Sequence, residues 1–281
     1  MRIRPIKKVI TGNAQQDGAG VHLVRVLANH TVEDFDPFLM LDTFDSKNPE
    51  DYIKGFPWHP HRGIETFTYL ISGTMEHGDS LGNKGLISDG CGQWMTAGSG
   101  IIHQEMPQPS EHMLGIQLWI NLPQKDKMVA PKYRDIRSET IPVIEEGGKR
   151  TRVVAGSYQG KTGPVQGDYV QMGFWDVQLK PDAEWNLSIP EDNNVFAYIV
   201  EGSGRFAQKD QDEISAKHAV LFGPGEEIIA QAGSNGLRFL LLAGKPLSEP
   251  VAWGGPIVMN TQKELRETFR ELENGTFIKN S

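Results

Sequence analysis

Short apolar runs separated by glycine-rich turns dominate the chain up to residue 245. The runs are rich in aromatic and β-branched residues, a composition typical of strands that pack against a core. Turns such as DGAG, LGNKG and SDGCG interrupt them at short intervals. This pattern predicts an all-β protein built as an antiparallel barrel or sandwich. The clearest predicted strands are VHLVRVL (21–27), ETFTYLI (65–71), MLGIQLWINL (113–122), VFAYIV (195–200) and LRFLLLA (237–243).

The C-terminal segment TQKELRETFRELENG has a helical pattern instead. Thr261 and Glu264 have the spacing of a capping box, and Leu265, Phe269 and Leu272 share one helical face. The glycine of the closing Asn-Gly pair is a stop signal for a helix. We therefore expect an amphipathic C-terminal helix whose apolar face docks on the body of the protein.

The chain also repeats itself. ETFTYLISG, which ends at Gly73, resembles NVFAYIVEG, which ends at Gly202, and QWMTAGSGIIHQE and AVLFGPGEEIIAQA follow the two segments at similar distances. A polar stretch, EEGGKR, joins the two halves. The repeat predicts two tandem antiparallel β-barrels followed by the helix. The expected domains are 1–135 for the first barrel, 136–250 for the second barrel and 251–281 for the helix and tail.

Composition and charge exclude several classes of partner. The formal net charge of the 281 residues is −8 and no block of Lys or Arg stands out, which argues against direct binding of nucleic acid. No apolar run approaches the roughly 20 residues of a membrane span, and no signal peptide is recognisable. The single cysteine, Cys91, excludes an internal disulfide. We expect a cytoplasmic monomer, with a nuclear location open if the source is a eukaryote.

Two pairs of potential metal ligands have strand spacing. His59 and His61 lie in FPWHPHRGIETF, and His103 and Glu105 lie in QWMTAGSGIIHQE. Because residues i and i+2 of a strand point to the same face, each pair can project into a barrel. Two such pairs on neighbouring strands would bring three imidazoles and one carboxylate to a point. Mixed nitrogen and oxygen ligands suit Fe(II), Mn(II), Ni(II) or Cu(II), whereas zinc usually takes fewer ligands.

The second half lacks these side chains. Aligning the halves on their closing glycines places Asn194 against Glu65, and small or apolar residues against the other candidates. Selective loss of every potential ligand favours a metal site in the first half over a packing role for its histidines. The aligned positions are Ser188 for His59, Pro190 for His61, Ala230 for His103 and Ala232 for Glu105.

The motifs FPWHPHRGIETFTYLISGTMEHGDS, QWMTAGSGIIHQEMP and GIQLWINL resemble the pirins, a branch of the cupin superfamily. The resemblance covers nearly the whole chain. It implies a bicupin fold with one divalent metal ion, usually Fe(II), in the N-terminal barrel and a C-terminal barrel without ligands. The family's metal ligands fall on His59, His61, His103 and Glu105. Glu65 occupies the place of the carboxylate ligand in the wider cupin pattern, and we expect it to be a supporting or structural group.

The resemblance also implies two functions of different classes. The first is a quercetin 2,3-dioxygenase that opens the ring of a flavonol with O2, in which Glu105 would double as general base. The second is a non-enzymatic, redox-sensitive regulatory protein that binds a transcription regulator or a metabolic enzyme. An isomerase or a binding cupin for another small ligand is a third alternative. An oxygenase needs a roomy cavity beside the metal, whereas a redox sensor does not.

Overall fold

The computed structural model of the chain describes residues 1–207 and 212–279. The strands of the first half are β1 (Ile6–Thr11), β2 (Asn13–Asp17), β3 (Val21–Leu27), β4 (Phe38–Ser46), β5 (Phe56–His61), β6 (Ile64–Ser72), β7 (Thr74–Asp79), β8 (Lys84–Ile87), β9 (Gly92–Thr96), β10 (Ile101–Gln108), β11 (Met113–Asn121) and β12 (Lys132–Ile136). Those of the second half are β13 (Val143–Glu146), β14 (Lys149–Ala155), β15 (Ser157–Tyr158), β16 (Lys161–Thr162), β17 (Met172–Leu179), β18 (Glu184–Ser188), β19 (Asn194–Phe206), β20 (Ile214–Ser215), β21 (His218–Phe222), β22 (Glu227–Gly244), β23 (Ala252–Gly254) and β24 (Ile257–Met259). The helices are α1 (Val32–Phe35) and α2 (Gln262–Glu273), and short 3-10 turns cover Asn29–Thr31, Pro49–Asp51, Gln124–Asp126 and Ser138–Thr140.

The predicted all-β class is confirmed, and the strands pair antiparallel as the turn pattern indicates. None of the helices in residues 1–207 and 212–279 is long and apolar enough to cross a membrane.

The chain divides into two compact units. The N-terminal barrel unit contains Asn13–Val32, Phe38–Ser138 and the chain from Leu247 onward, and the C-terminal barrel unit contains Met1–Gly12, Glu33–Pro37 and Glu139–Pro246. This grouping differs from the expected domains at both ends of the chain. The first residues join the C-terminal barrel unit because β1 pairs with β21, and the last residues join the N-terminal barrel unit because β24 forms a bridge to Arg62.

Two large sheets and the short pair β23-β24 form the N-terminal barrel unit. A seven-stranded sheet has the order β12-β9-β6-β11-β4-β3-β2, and a four-stranded sheet has the order β5-β10-β7-β8. Strand β11 is buried along its whole length between β4 and β6. The seven-stranded sheet therefore forms the buried wall of this unit, while the four-stranded sheet carries the two predicted pairs of ligands on β5 and β10.

One large sheet dominates the C-terminal barrel unit. Its order is β1-β21-β19-β22-β17-β14-β13, with β18 paired to β22 and β20 paired to β19. Alternate residues of these strands fill a core in which Trp185, Phe206 and Phe239 are almost completely buried. Trp185 stacks on Tyr158 with a centroid distance of 5.5 Å and meets the ring of Phe239 edge-on at 5.5 Å.

Helix α2 begins and ends as its sequence predicts. The Thr261 hydroxyl accepts a hydrogen bond from the backbone N–H of Glu264, and Glu264 accepts one from the backbone N–H of Thr261 at 2.8 Å, which completes the capping box. Gly275 follows the helix with a φ of +69°, a left-handed conformation that glycine adopts without steric cost.

The predicted apolar face packs on the protein: Leu265 is buried with Ile257 and Met259, and Leu272 packs against the same cluster. Phe269 lies at the margin of this face and remains 37% exposed.

Candidate metal centre

Strands β5 and β10 bring the two predicted pairs together. The strands are antiparallel neighbours, and His103 lies directly opposite His59. The register shifts between His103 and Glu105, so that Glu105 lies opposite Phe56. Since both strands alternate sides, the paired side chains project from the same face of the four-stranded sheet.

The three imidazoles form a tight cluster. Ring centroids are 4.3 Å apart for His59 and His103, 4.8 Å for His59 and His61, and 4.9 Å for His61 and His103. One ring nitrogen from each histidine can be chosen so that all three atoms lie within 4.8 Å of one another. His61 and His103 are buried, and His59 is half-buried. Three nitrogens at this separation can hold one metal ion.

Backbone carbonyls determine which nitrogen of two histidines faces the centre. Nδ1 of His59 donates to the carbonyl oxygen of Pro57 at 2.8 Å, and Nδ1 of His61 donates to that of Pro256 at 3.1 Å. In a neutral imidazole the other nitrogen, Nε2, then carries a lone pair. The two Nε2 atoms face each other at 3.0 Å. Two lone pairs at this distance repel, and a cation bound between them removes the repulsion.

Burial keeps His61 and His103 in the neutral form that binds metals. Burial, with a smaller contribution from the neighbouring His59, lowers the pKa of His61 to about 3. Burial also holds the pKa of His103 well below the usual value for histidine, and the other histidines of the cluster lower it further. Neutral imidazole is the metal-binding form, so at pH 7 no proton has to leave these two residues before an ion binds.

The His103 ring provides the test of whether a metal fits. Within the described part of the chain, neither ring nitrogen of His103 has a hydrogen-bond partner, although both are buried. A buried polar atom without a partner costs free energy, and such atoms in a folded protein commonly mark a bound ligand or ion. Together with the opposed Nε2 atoms of His59 and His61, this observation fits a divalent cation held by the three imidazoles.

Glu105 lies at the edge of this cluster. Its carboxylate is not among the mutually close ligand atoms of the described residues, which comprise the three histidines alone. The hydroxyl of Thr68 donates to Oε1 of Glu105 at 2.8 Å, and Nε2 of Gln117 lies 3.4 Å from Oε2. Thr68 also contacts the Gln117 side chain. A network of neutral groups therefore orients the carboxylate.

A cavity of about 660 Å³ lies beside the cluster, within the usual size range of small-molecule sites. His59, His61, Glu105 and Gln117 form its polar end near the cluster. Arg25 lies in another part of the wall, where its guanidinium pairs with Asp42. The remaining side chains are mostly apolar or aromatic, and include Met40, Phe44, Phe56, Pro57, Trp119, Trp253 and Pro256.

Sequence reasoning placed some of these residues and missed others. Glu65 is fully buried and its Oε1 accepts a hydrogen bond from Thr96 at 2.6 Å, consistent with the expected supporting role. His77, which has no partner at ligand spacing in the sequence, is buried with its ring 5.4 Å from that of His103. Trp253 and Pro256 carry no sequence signal at all, because they lie far along the chain from the histidine pairs.

Comparison with known proteins identifies the family to which the chain belongs. The Pirin family model matches residues 20–120, and the Pirin C-terminal cupin domain model matches residues 174–278. The fold is therefore that of a bicupin. A pirin-like protein of Caulobacter vibrioides is 41% identical over 280 residues, which cover 99% of this chain and 100% of the relative. The chain belongs to the pirin family.

Further relatives agree with this assignment. A pirin-like protein of Solanum lycopersicum is 42% identical over 275 residues, covering 98% of this chain and 93% of its own length. Among solved structures, a quercetin 2,3-dioxygenase from Acinetobacter baumannii superposes with a TM-score of 0.89 at 31% identity and covers 98% of both chains.

Proposed function

We propose that this protein is a metal-dependent dioxygenase that opens the ring of a flavonol such as quercetin with O2 and releases carbon monoxide. The cavity beside the histidine cluster carries this proposal. Its volume of about 660 Å³ suits a drug-sized molecule, and its walls are rich in flat aromatic side chains. The Acinetobacter relative with the same fold, named a quercetin 2,3-dioxygenase, supports the choice of substrate.

We further propose that His59, His61, His103 and Glu105 hold the metal, and that the metal is Fe(II). Mixed nitrogen and oxygen ligands suit this ion, although Mn, Ni, Cu or Zn would also bind such a set. When bound, the ion supplies positive charge and redox chemistry for a reaction with O2. The neutral imidazoles supply the lone pairs, and the carbonyls of Pro57 and Pro256 orient two of the rings.

The cavity walls position the substrate. Trp119 and Trp253 lie with ring centroids 5.8 Å apart, and both line the cavity that contains His59 and His61. Flat aromatic walls favour a planar ring system through dispersion and stacking. Closing the substrate into this space also removes water from the polar end of the cavity, which strengthens the electrostatic interactions there.

Glu105 is the proposed general base. Thr68 donates to Oε1 at 2.8 Å, whereas Gln117 reaches Oε2 only at 3.4 Å, so Oε2 is the more weakly held oxygen. It would take the proton of the flavonol hydroxyl when the carboxylate swings partly free of the site. Gln117, whose Nε2 lies 3.4 Å from Oε2, steadies the carboxylate without neutralising it. A positioned base typically contributes 10²- to 10⁴-fold to a rate, roughly 3 to 5 kcal/mol.

The experiment loads the purified protein with Fe(II) under anaerobic conditions. Its turnover is then measured in air as quercetin loss and O2 uptake. We expect turnover that vanishes in His59→Ala. In Glu105→Gln, turnover per bound iron should fall by about 100-fold or more. Glu111→Gln changes an exposed residue of the same type and should leave the rate unchanged.

Two results would contradict parts of this proposal. Full turnover and full metal content in Glu105→Gln would remove the base role. An iron-loaded parent protein without turnover would remove the dioxygenase itself and favour a redox-sensitive regulatory protein. The cavity favours the dioxygenase over the regulatory protein, because a redox sensor does not need an accessible space beside its metal.

A further inference from the structure

Arg62 follows His61 directly, and its guanidinium is attached to the C-terminal segment of the chain. The residue is only 2% exposed. Nη1 donates to Oε2 of Glu271 at 2.6 Å and to the hydroxyl of Thr268 at 3.2 Å, so two side chains of α2 hold one guanidinium nitrogen. Nη2 donates to the carbonyl oxygen of Phe277 at 2.7 Å, and the guanidinium carbon lies 4.4 Å from the centre of the Phe277 ring. Every partner of the side chain named here lies after residue 260.

The chain just before α2 also contacts His61 itself. The carbonyl oxygen of Pro256 accepts a hydrogen bond from Nδ1 of His61 at 3.1 Å. The backbone N–H of Val258 donates to the carbonyl oxygen of Arg62 at 3.1 Å. The end of β5 is thus joined to the segment 256–277 by an imidazole, by the backbone and by a buried side chain.

These contacts bear on metal binding through the tautomer of His61. The hydrogen bond to Pro256 places the proton on Nδ1 and leaves the lone pair on Nε2, which faces the centre of the cluster. Partners of this kind orient the ring and raise its basicity, and their loss typically costs 10- to 100-fold in metal affinity. Pro256 directly precedes β24, and α2 packs on that strand, where Leu265 is buried in one cluster with Ile257 and Met259.

We propose that Arg62 is a positioning residue and that helix α2, which it holds, is coupled to the metal site through Pro256 and His61. Undocking α2 uncovers β24, and it weakens metal binding because the Pro256 carbonyl is then held less firmly against the His61 ring. By thermodynamic reciprocity, metal binding stabilises the docked helix by the same factor. This inference rests on the proposed metal site but not on any flavonol activity.

A purely structural role for Arg62 predicts something different. Arg62 would then anchor α2, and its loss would lower the stability of the unit while an ion bound as before. Metal affinity therefore separates the two roles, whereas thermal stability alone does not.

The test uses Co²⁺ under anaerobic conditions, with affinity measured by competition against a chromophoric chelator and the visible absorption of the bound ion recorded. Glu271→Ala is the chosen variant, because Glu271 is partly exposed and lies on α2 away from the ion. We expect its Co²⁺ affinity to fall about tenfold, with a changed absorption band. Glu273→Ala, an exposed change of the same type on the same helix, should retain the parent affinity.

A second measurement needs no variant. Hydrogen exchange of the α2 amides in the unaltered protein should slow about tenfold when Co²⁺ is bound, since the coupling acts in both directions. Equal exchange with and without Co²⁺ would overturn the coupling. So would a Glu271→Ala protein that binds Co²⁺ within twofold of the parent while its helix exchanges faster. Failure of the parent to bind Co²⁺ at all would overturn the metal site itself, and this inference with it.

Discussion

The interiors of the two barrel units are filled in opposite ways. In the N-terminal barrel unit, β5 and β10 present three imidazoles, and the buried ring nitrogens of His103 have no hydrogen-bond partner among the described residues. In the C-terminal barrel unit, β18 and β22 present Trp185 opposite Ala230. The Trp185 side chain is packed by aromatic rings, and its one polar atom, Nε1, donates to the Thr151 hydroxyl at 2.9 Å.

The difference shows how a repeated architecture separates stability from function. A well-filled apolar core with satisfied polar atoms contributes to folding without any ligand. A buried imidazole such as His103 contributes less, because its ring nitrogens are desolvated and have no hydrogen-bond partner among the described residues.

The strand pairing also refines the comparison of the two halves. Alignment of the sequences places Ala230 against His103 and Ser188 against His59. In the structure Ala230 pairs with Trp185, just as His103 pairs with His59. If Ala230 corresponds to His103, the counterpart of His59 is Trp185 rather than Ser188. A large apolar side chain thus stands where the first half has a ligand candidate.

The largest effect should come from removing a histidine of the cluster. His103→Ala deletes a buried imidazole whose ring nitrogens have no partner among the described residues, and we expect metal binding to fall below detection, beyond the 10- to 100-fold typical of outer partners. Chelator competition with Co²⁺ measures this loss. His218→Ala, in β21 of the C-terminal barrel unit, is the matched control and should bind as the parent does. If His103→Ala bound Co²⁺ as tightly as the parent, the histidine cluster would not be a metal site, and the contrast with the filled core of the other unit would be lost.

The next effect concerns the filled core. Trp185→Ala should lower the free energy of unfolding by about 3–5 kcal/mol, because it leaves a cavity among packed aromatic rings. Denaturant unfolding followed by circular dichroism measures it, and metal affinity should not change. Trp58→Ala, at a residue that is 55% exposed, should stay within about 0.5 kcal/mol of the parent. A loss of less than about 1 kcal/mol at Trp185 would show that this core is not tightly packed.

A smaller effect concerns the pH dependence of the metal-free protein. The pKa of His61 is about 3 in the folded state against an ordinary value of 6.5, so the unfolded chain binds more protons between these values. Stability is therefore full above pH 6.5 and is lost as the pH falls towards 3, by roughly 2 kcal/mol between pH 7 and 5 for this one group.

His61→Asn tests this dependence, because it removes the titrating ring. Its unfolding free energy should fall less steeply between pH 7 and 5 than that of the parent. Trp185→Phe, in the other unit, should shift the whole curve without changing its slope. An unchanged slope in His61→Asn would mean that His61 is not held neutral by burial.

Several features of the protein could be predicted because they are local. Alternation of apolar residues marked the strands at 21–27, 65–71 and 113–122, and the structure has strands over these segments. The Thr261 and Glu264 spacing marked the start of α2. The i, i+2 spacing of His59 and His61 could be read directly from the sequence. Their projection from one face followed from the pleat of a strand.

Other features were not predictable from local patterns. The partial exposure of Phe269 is one example, because helical periodicity identifies the apolar face of a helix but not how much of that face the rest of the protein covers. The register of β5 against β10 is another such feature: it shifts after His103, so that Glu105 lies opposite Phe56. Such a bulge has no distinctive sequence at this position.

The sequence by itself determined the strand and helix segments, the duplicated pattern and the residues able to bind a metal, because each depends on side chains a few positions apart. Tertiary structure alone decided that β1 joins the C-terminal barrel unit, that Trp253 and Pro256 line the cavity, and that Arg62 holds α2. These contacts join residues far apart along the chain. Their partners are selected by the shape and the unsatisfied hydrogen-bonding groups of the assembled barrel, which no local pattern records.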